Sequence, residues 1–322
     1  MSNYNNAMDI FANNIFPAIV FAIGMIGDTL GIIVLSRKGL SNMKLINAYR
    51  FLLISDLIYF FTQTPITNIM YSYPRIDLTS KFSWFCKLFV FSNCALYAPS
   101  PFTIIYFSVE RLVAARFPSK RFFLKKDKIF FTYITIILLL SFVYFSPILY
   151  YYDLIENPAI IDNTTNETIV TYSCNDANTV GIEVVYWLYL ILSSIPYPLL
   201  AICTILLVVT IFQSRIKNKL NSKKLKKDLK VAINLISLNL IFIILTLPIG
   251  LSNSANMTTA YEIDIYLIEY MLYSISYGIN FYLLVATNSI IRNEFFLFMG
   301  LKKSHGESKL LFAYLSSILI YL

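Results

Sequence analysis

The chain has 322 residues, of which 57% are hydrophobic, 16% aromatic and only 14% charged, with a mean hydropathy of +0.66. Soluble domains carry roughly a quarter charged residues, so this composition excludes a disordered chain and argues against a water-soluble enzyme, whose surface it could not cover. The net charge of +8 would suit nucleic acid, but the placement of the charges points elsewhere.

A helix needs about 20 apolar residues to cross the hydrocarbon core. Seven such runs follow one another. Residues 10–35 hold one charge, Asp28, and residues 51–73 hold one, Asp56. Residues 88–109, 129–152, 184–212, 231–261 and 270–291 hold no Asp, Glu, Lys or Arg, and the sixth is long enough to include some loop. Barrel strands would be shorter, alternating and more numerous. The expected fold is therefore an all-α membrane protein, a seven-transmembrane helix bundle. Residues 1–14 form an extracellular N-terminus, 15–300 the bundle and 301–322 a cytoplasmic tail. The first residues lack a basic stretch and a cleavage site, so the first span is expected to act as its own insertion signal. The final run, 310–322, is too short to span.

Basic residues set the orientation. Stretches 37–50, 111–128, 215–230 and 292–309 contain 23 of the 26 Lys and Arg residues, and the opposite side has only Arg75, Lys81 and Lys87. The N-terminus is thus outside and the C-terminus inside. Asp153, Glu156, Asp162, Glu167, Asp176, Glu183, Glu262, Asp264 and Glu269 gather on or near the outer side. Asn163, Asn166 and Asn256 begin N-glycosylation sequons that this orientation also places outside.

Cys86 stands at the outer start of the third span and Cys174 in the outer loop before the fifth. An oxidising exterior allows them to bridge, the alternative being two free surface thiols. Cys94 and Cys203 fall within spans as small hydrophobes. Arg111 follows Cys86 by 25 residues, roughly 37 Å of helix, so one helix carries a cysteine at its outer end and Glu110-Arg111 at its inner end.

This pattern resembles the rhodopsin-like class of G-protein-coupled receptors over about residues 15 to 300. Glu110-Arg111-Leu112 resembles that family's Asp/Glu-Arg-Tyr motif, with Leu in place of Tyr. Asp56 in Leu52-Leu-Ile-Ser-Asp56-Leu resembles its buried Asp of span two, with Ser100 as the hydroxyl beside it. Asn280 resembles the Asn of Asn-Pro-x-x-Tyr, although Phe281 replaces Pro and Leu284 replaces Tyr. Pro248 resembles the kink proline of span six and Phe242 the aromatic below it, while Thr246 stands where a Trp is usual. Asp28 replaces an Asn, and the Trp of span four and the Tyr of span five are missing. The stretch ending Ile291-Arg292-Asn293-Glu294-Phe295 resembles the start of the short amphipathic helix after span seven in peptide receptors.

The resemblance implies a disulfide between Cys86 and Cys174, and a latch in which Arg111, beside Glu110, pairs with Asp228. The bland alternative is that Arg111 is one more positive-inside residue. Asp56, Ser100, Ser276 and Asn280 could hold a sodium ion, or Asp56 could be a hydrogen-bonded structural group. Phe242 and Pro248 are the expected activation hinge. The basic run 215–230 suits a G protein or anionic lipid headgroups equally. Pro99 and Pro101 either shape a pocket or reflect drift.

Asn93 stands where amine receptors carry Asp, and Ser274 where opsins carry Lys. An amine ligand and a retinal are therefore disfavoured. With Thr246 they mark a weak candidate pocket. Acidic outer loops favour a cationic peptide. The expected partners are a heterotrimeric G protein, that ligand and the lipid bilayer, with no nucleic acid and no cofactor other than sodium. His305 is the sole histidine, so no metallohydrolase site is expected, and no repeat supports a transporter. The rival expectation is a receptor-like protein with a non-peptide ligand or with lost coupling.

Overall fold

The computed structural model describes residues 15–40, 45–72, 78–116, 127–156, 160–161, 168–169, 172–176, 184, 187, 195–217, 235–248 and 262–301. In hydrocarbon every backbone group must be satisfied within the chain, so apolar runs longer than a few turns become helices. Helix α1 is Phe16–Leu35, α2 is Ile46–Ser72, α3 is Ser83–Tyr97, α4 is Pro99–Arg116, α5 is Asp127–Phe145 and α6 is Ile148–Tyr151. Helix α7 is Pro196–Lys217, α8 is Leu235–Pro248, α9 is Glu262–Gly278, α10 is Asn280–Thr287 and α11 is Ser289–Phe298. The stretches Ala18–Leu35, Ser83–Ala114 and Asp127–Tyr151 are each long and apolar enough to cross a membrane.

The third span is one helix in effect. Pro99 and Pro101 remove two backbone donors, but Ala98 keeps helical angles and Phe102 N–H donates to its carbonyl at 3.2 Å, so the ladder resumes at once. The seventh span is displaced from its expected position. It begins at Glu262, so Glu262, Asp264 and Glu269 lie on the helix, pauses at Ile279 and ends at Thr287 rather than at residue 291.

The amphipathic helix then starts at Ser289. Asn288 leaves the helical region (φ −102°, ψ 105°), and its side-chain oxygen accepts from Ile290 N–H at 3.0 Å, a regular N-cap. Gly300 closes α11 with φ +69°, while Leu301 N–H reaches back to Phe296 O at 3.0 Å.

Strands were not expected, yet the second outer loop contains them. Strands β1 (Tyr152–Glu156) and β4 (Tyr172–Asp176) pair antiparallel, with Leu154 opposite Cys174. Strands β2 (Ile160–Ile161) and β3 (Thr168–Ile169) pair between them. The all-α expectation therefore holds for the spans and fails for this loop, where short runs outside hydrocarbon can pair as strands.

The core lies between α1, α2, α4, α5, α7, α8, α10 and the start of α11, through residues such as Leu52, Leu53, Ile104, Phe107, Phe242 and Phe281. Apolar side chains also face outward. Ile136, Leu139, Leu140 and Val143 on α5 are half exposed or more, the pattern of a helix whose solvent is lipid.

Helix α1 approaches its neighbours on a glycine face spaced at one helical turn. A Cβ on Gly24 would stand 2.5 Å from the Phe60 ring and 3.1 Å from Gly278 Cα, and one on Gly31 would strike Leu53 and Phe281. At the inner end, Arg50 caps α1 by donating to Leu35 O at 2.6 and 3.1 Å.

Overpacking a filled interface costs about 1–3 kcal/mol. Gly24→Val is expected to lower the thermal midpoint of the detergent-solubilised protein by several degrees. Ala22→Val, away from the glycine face, should leave it nearly unchanged.

Candidate functional site

Three polar levels are stacked along the bundle, and each joins residues far apart in sequence. At the outer level Cys86 on α3 is bonded to Cys174 on β4, with Cα atoms 5.5 Å apart across 88 residues of sequence. Ser83 Oγ donates to Asp153 Oδ1 at 2.5 Å, and Lys87 Nζ lies 3.1 Å from Asp153 Oδ2. Leu154 N–H donates to the same carboxylate at 2.8 Å. Residues 83, 86 and 87 share one turn of α3, so that turn grips both strands of the outer hairpin. The Ser83 hydroxyl, aided by the Leu154 amide and the Lys87 ammonium, holds the Asp153 carboxyl down at about 2.

At the middle level Asp56 is fully buried, and Asn280 Nδ2 donates to its Oδ2 at 2.7 Å. Ser100, also buried, faces the same carboxyl without closing a hydrogen bond. Asp28 on α1 is fully buried too, and both its oxygens lack a hydrogen bond among the described residues. Ser276 is buried, and its hydroxyl donates to Tyr273 O at 2.6 Å on its own helix.

At the inner level Arg111 Nε stands 3.1 Å from Glu110 Oε2, with Arg111 14% exposed and Glu110 1%. This is a charge contact, not an aligned hydrogen bond, because both Glu110 oxygens lack such a bond among the described residues. Asp228 lies outside the described residues, as do Asn163, Asn166 and Asn256.

A family model described as "7 transmembrane receptor (rhodopsin family)" matches residues 32–280. The chain belongs to that family. No curated protein matches it. The matched stretch contains the outer disulfide, Asp56, Arg111, Phe242, Pro248 and Asn280, and it makes the helices above a seven-span membrane bundle.

Within the receptor, the remaining expected residues scatter. Phe242 belongs to the buried core, and Pro248 ends the described part of α8. Thr246 is fully buried, but its hydroxyl donates to Phe242 O at 2.6 Å and its carbonyl accepts from Tyr197 Oη at 2.9 Å. Asn93 and Ser274 are half-buried on α3 and α9.

Sequence reasoning missed several polar residues. Asn239 on α8 is fully buried and donates to Ser108 Oγ on α4 and to Thr204 Oγ1 on α7, both at 2.9 Å. The signal available was an amide in the middle of an apolar run. Arg37 was read only as a topology charge. It lies 3.7 Å from Glu294 and 6.0 Å from the centre of the Phe298 ring, clamping α11 to the end of α1.

Because Asp153 is held below its ordinary value of 3.8, its grip on α3 is present above about pH 4 and is lost as pH falls towards 2. The protection of β1 amides against exchange, taken relative to the intrinsic rate at each pH, should stay high at pH 5 and fall across that window. In Asp153→Asn it should be lower at pH 5 and lack that step.

Proposed function

We propose that the receptor passes the binding of an extracellular ligand, a cationic neuropeptide, to a heterotrimeric G protein at the cell membrane. The observation that carries this reading is the single helix running from the disulfide at Cys86 to the charge pair at Glu110 and Arg111. It links an anchored outer mouth to a cytoplasmic cation whose partners can change. The acids of the outer side, with Asp153 and Glu156 on β1 among them, support a ligand of opposite charge.

The mechanism is a population shift. Agonist at the outer mouth favours a state in which the inner ends of α7 and α8 move away from α4, and Arg111, released from Asp228, meets the G protein. Because the coupling is thermodynamic, the G protein in turn tightens agonist binding. Asp56 Oδ1 and Ser100 Oγ, which close no geometric hydrogen bond among the described residues, are oxygen donors of the kind that hard cations take. With Asn280 holding the other Asp56 oxygen, they are the atoms that would hold a sodium ion.

A second reading, a receptor-like protein without coupling, is favoured by one observation. Phe281, Leu284 and Thr246 are packed into the core where the family carries Pro, Tyr and Trp.

G-protein recruitment in cells challenged with short amidated cationic peptides separates the two. The expected result is a response to at least one peptide, reduced tenfold or more in Arg111→Ala at equal surface expression. Activation by acidic or neutral ligands alone would overturn the peptide assignment. A silent wild-type receptor in a full ligand panel would leave the uncoupled reading.

A further inference from the structure

Three neutral side chains join three helices one turn outward of Arg111. Asn239 on α8 is 0% exposed, Ser108 on α4 is 1% and Thr204 on α7 is 7%. Asn239 Nδ2 spends one proton on Ser108 Oγ and the other on Thr204 Oγ1, both at 2.9 Å. Each hydroxyl is free to accept because its own proton has a home. Thr204 donates to Leu200 O at 2.7 Å and Ser108 to Ile104 O at 3.0 Å. The Ser108 proton has a second acceptor, Asn239 Oδ1 at 3.2 Å. Buried Leu200, Leu207, Leu238 and Phe242 from the same helices make the surroundings apolar, where a hydrogen bond is stronger than in water.

We infer that Asn239 is a positioning residue, an uncharged tether that holds α8 against α4 and α7 in the resting receptor and must open for coupling. Ser108 precedes Arg111 by three residues, so the two lie on neighbouring positions of one helix face. The tether therefore sets the spacing between α8 and the helix that carries Arg111, just outward of that cation. It occupies the level at which α8 has to part from α4. The hydroxyls of Ser108 and Thr204 do not need Asn239, since each keeps its own carbonyl partner when α8 leaves. Opening thus strands only the amide of Asn239, which moves towards the cytoplasmic mouth and water. A resting state held this way opens without leaving unpaired polar groups on α4 or α7, which makes it a two-position contact and not a permanent weld.

This inference rests on the coupled reading above, and two readouts keep them apart. The first is the distance between spin labels at Arg116 and Ile236 in the purified, ligand-free receptor. The second is basal nucleotide exchange on added G protein. Asn239→Leu keeps the branched shape at a larger volume and removes the cross-helix bonds without orphaning a partner, and Asn239→Ala, which adds no bulk, must lengthen the distance too if the bonds and not overpacking are responsible. Loss of two such bonds shifts the closed-to-open ratio by roughly five- to thirty-fold. The expected result is a longer label distance in a larger fraction of molecules and basal exchange raised by a similar factor. Ser108→Ala, which changes volume little and takes one of the two acceptors from the Asn239 amide, should give a smaller rise. Asn239→Gln, which keeps the amide, should retain more of the resting state than Asn239→Leu. Unchanged distances in both Asn239→Leu and Ser108→Ala would overturn the tether. Longer distances with no rise in exchange would keep the tether and overturn coupling.

Discussion

A 2.7 Å hydrogen bond from Asn280 to Asp56 is the contact around which the bundle is arranged. Span seven is not one helix. It pauses at Ile279 and restarts at Asn280, and in hydrocarbon no water is on hand to mend a pause. The Asp56 carboxylate gives the first side chain of the second segment a partner on α2. With Asn280 placed, Phe281 lies against the glycine face of α1, and Gly278 comes close enough to Gly24 that a Cβ on Gly24 would stand 3.1 Å from Gly278 Cα and one on Gly278 3.3 Å from Gly24 Cα. The polar bond and the close packing of α1, α2 and span seven thus occur at one level of the bundle.

Polar side chains elsewhere in the membrane obey the same logic. They occur in layers, with Asp28, Asp56, Ser100 and Asn280 in one and Ser108, Thr204 and Asn239 in another, separated by apolar levels that include Ile104 and Phe242. The second layer is built from neutral groups. The residues that the family usually relies on near it are absent: Thr246 and Leu284 take the places of Trp and Tyr and are absorbed into the core. Loss of a bulky aromatic leaves room, and here Tyr197 from α7 reaches across to the Thr246 carbonyl. The chain has changed the actors at this level while keeping α7 and α8 joined.

What could be read from the sequence was whatever depends on a one-dimensional count. Apolar run length gave the spans, Lys and Arg placement the topology, and the separation of Cys86 from Arg111 the helix that joins mouth to cytoplasm. Pairings that need two helices side by side were harder. Nothing in the apolar run 231–261 told Asn239 from Asn234, and nothing marked Ser276 as bonded to its own helix. The boundary error at span seven has a specific cause. Hydropathy alone continues past Thr287, and only the capping chemistry of Asn288 and Gly300 says where one helix stops and the next begins. The outer hairpin escaped because its strands are short and its residues are not alternating.

The bridge between Cys86 and Cys174 also bears on how the chain is made. Cys174 reaches an oxidising compartment only if the span that precedes it, α5, has been threaded in the correct sense. A copy with α5 inverted would leave this cysteine on the reducing side and its hairpin unattached to α3. The bond thus records that four consecutive insertions went the right way. A cell that retains molecules with an unpaired Cys86 has a chemical means of sorting correctly threaded chains from the rest.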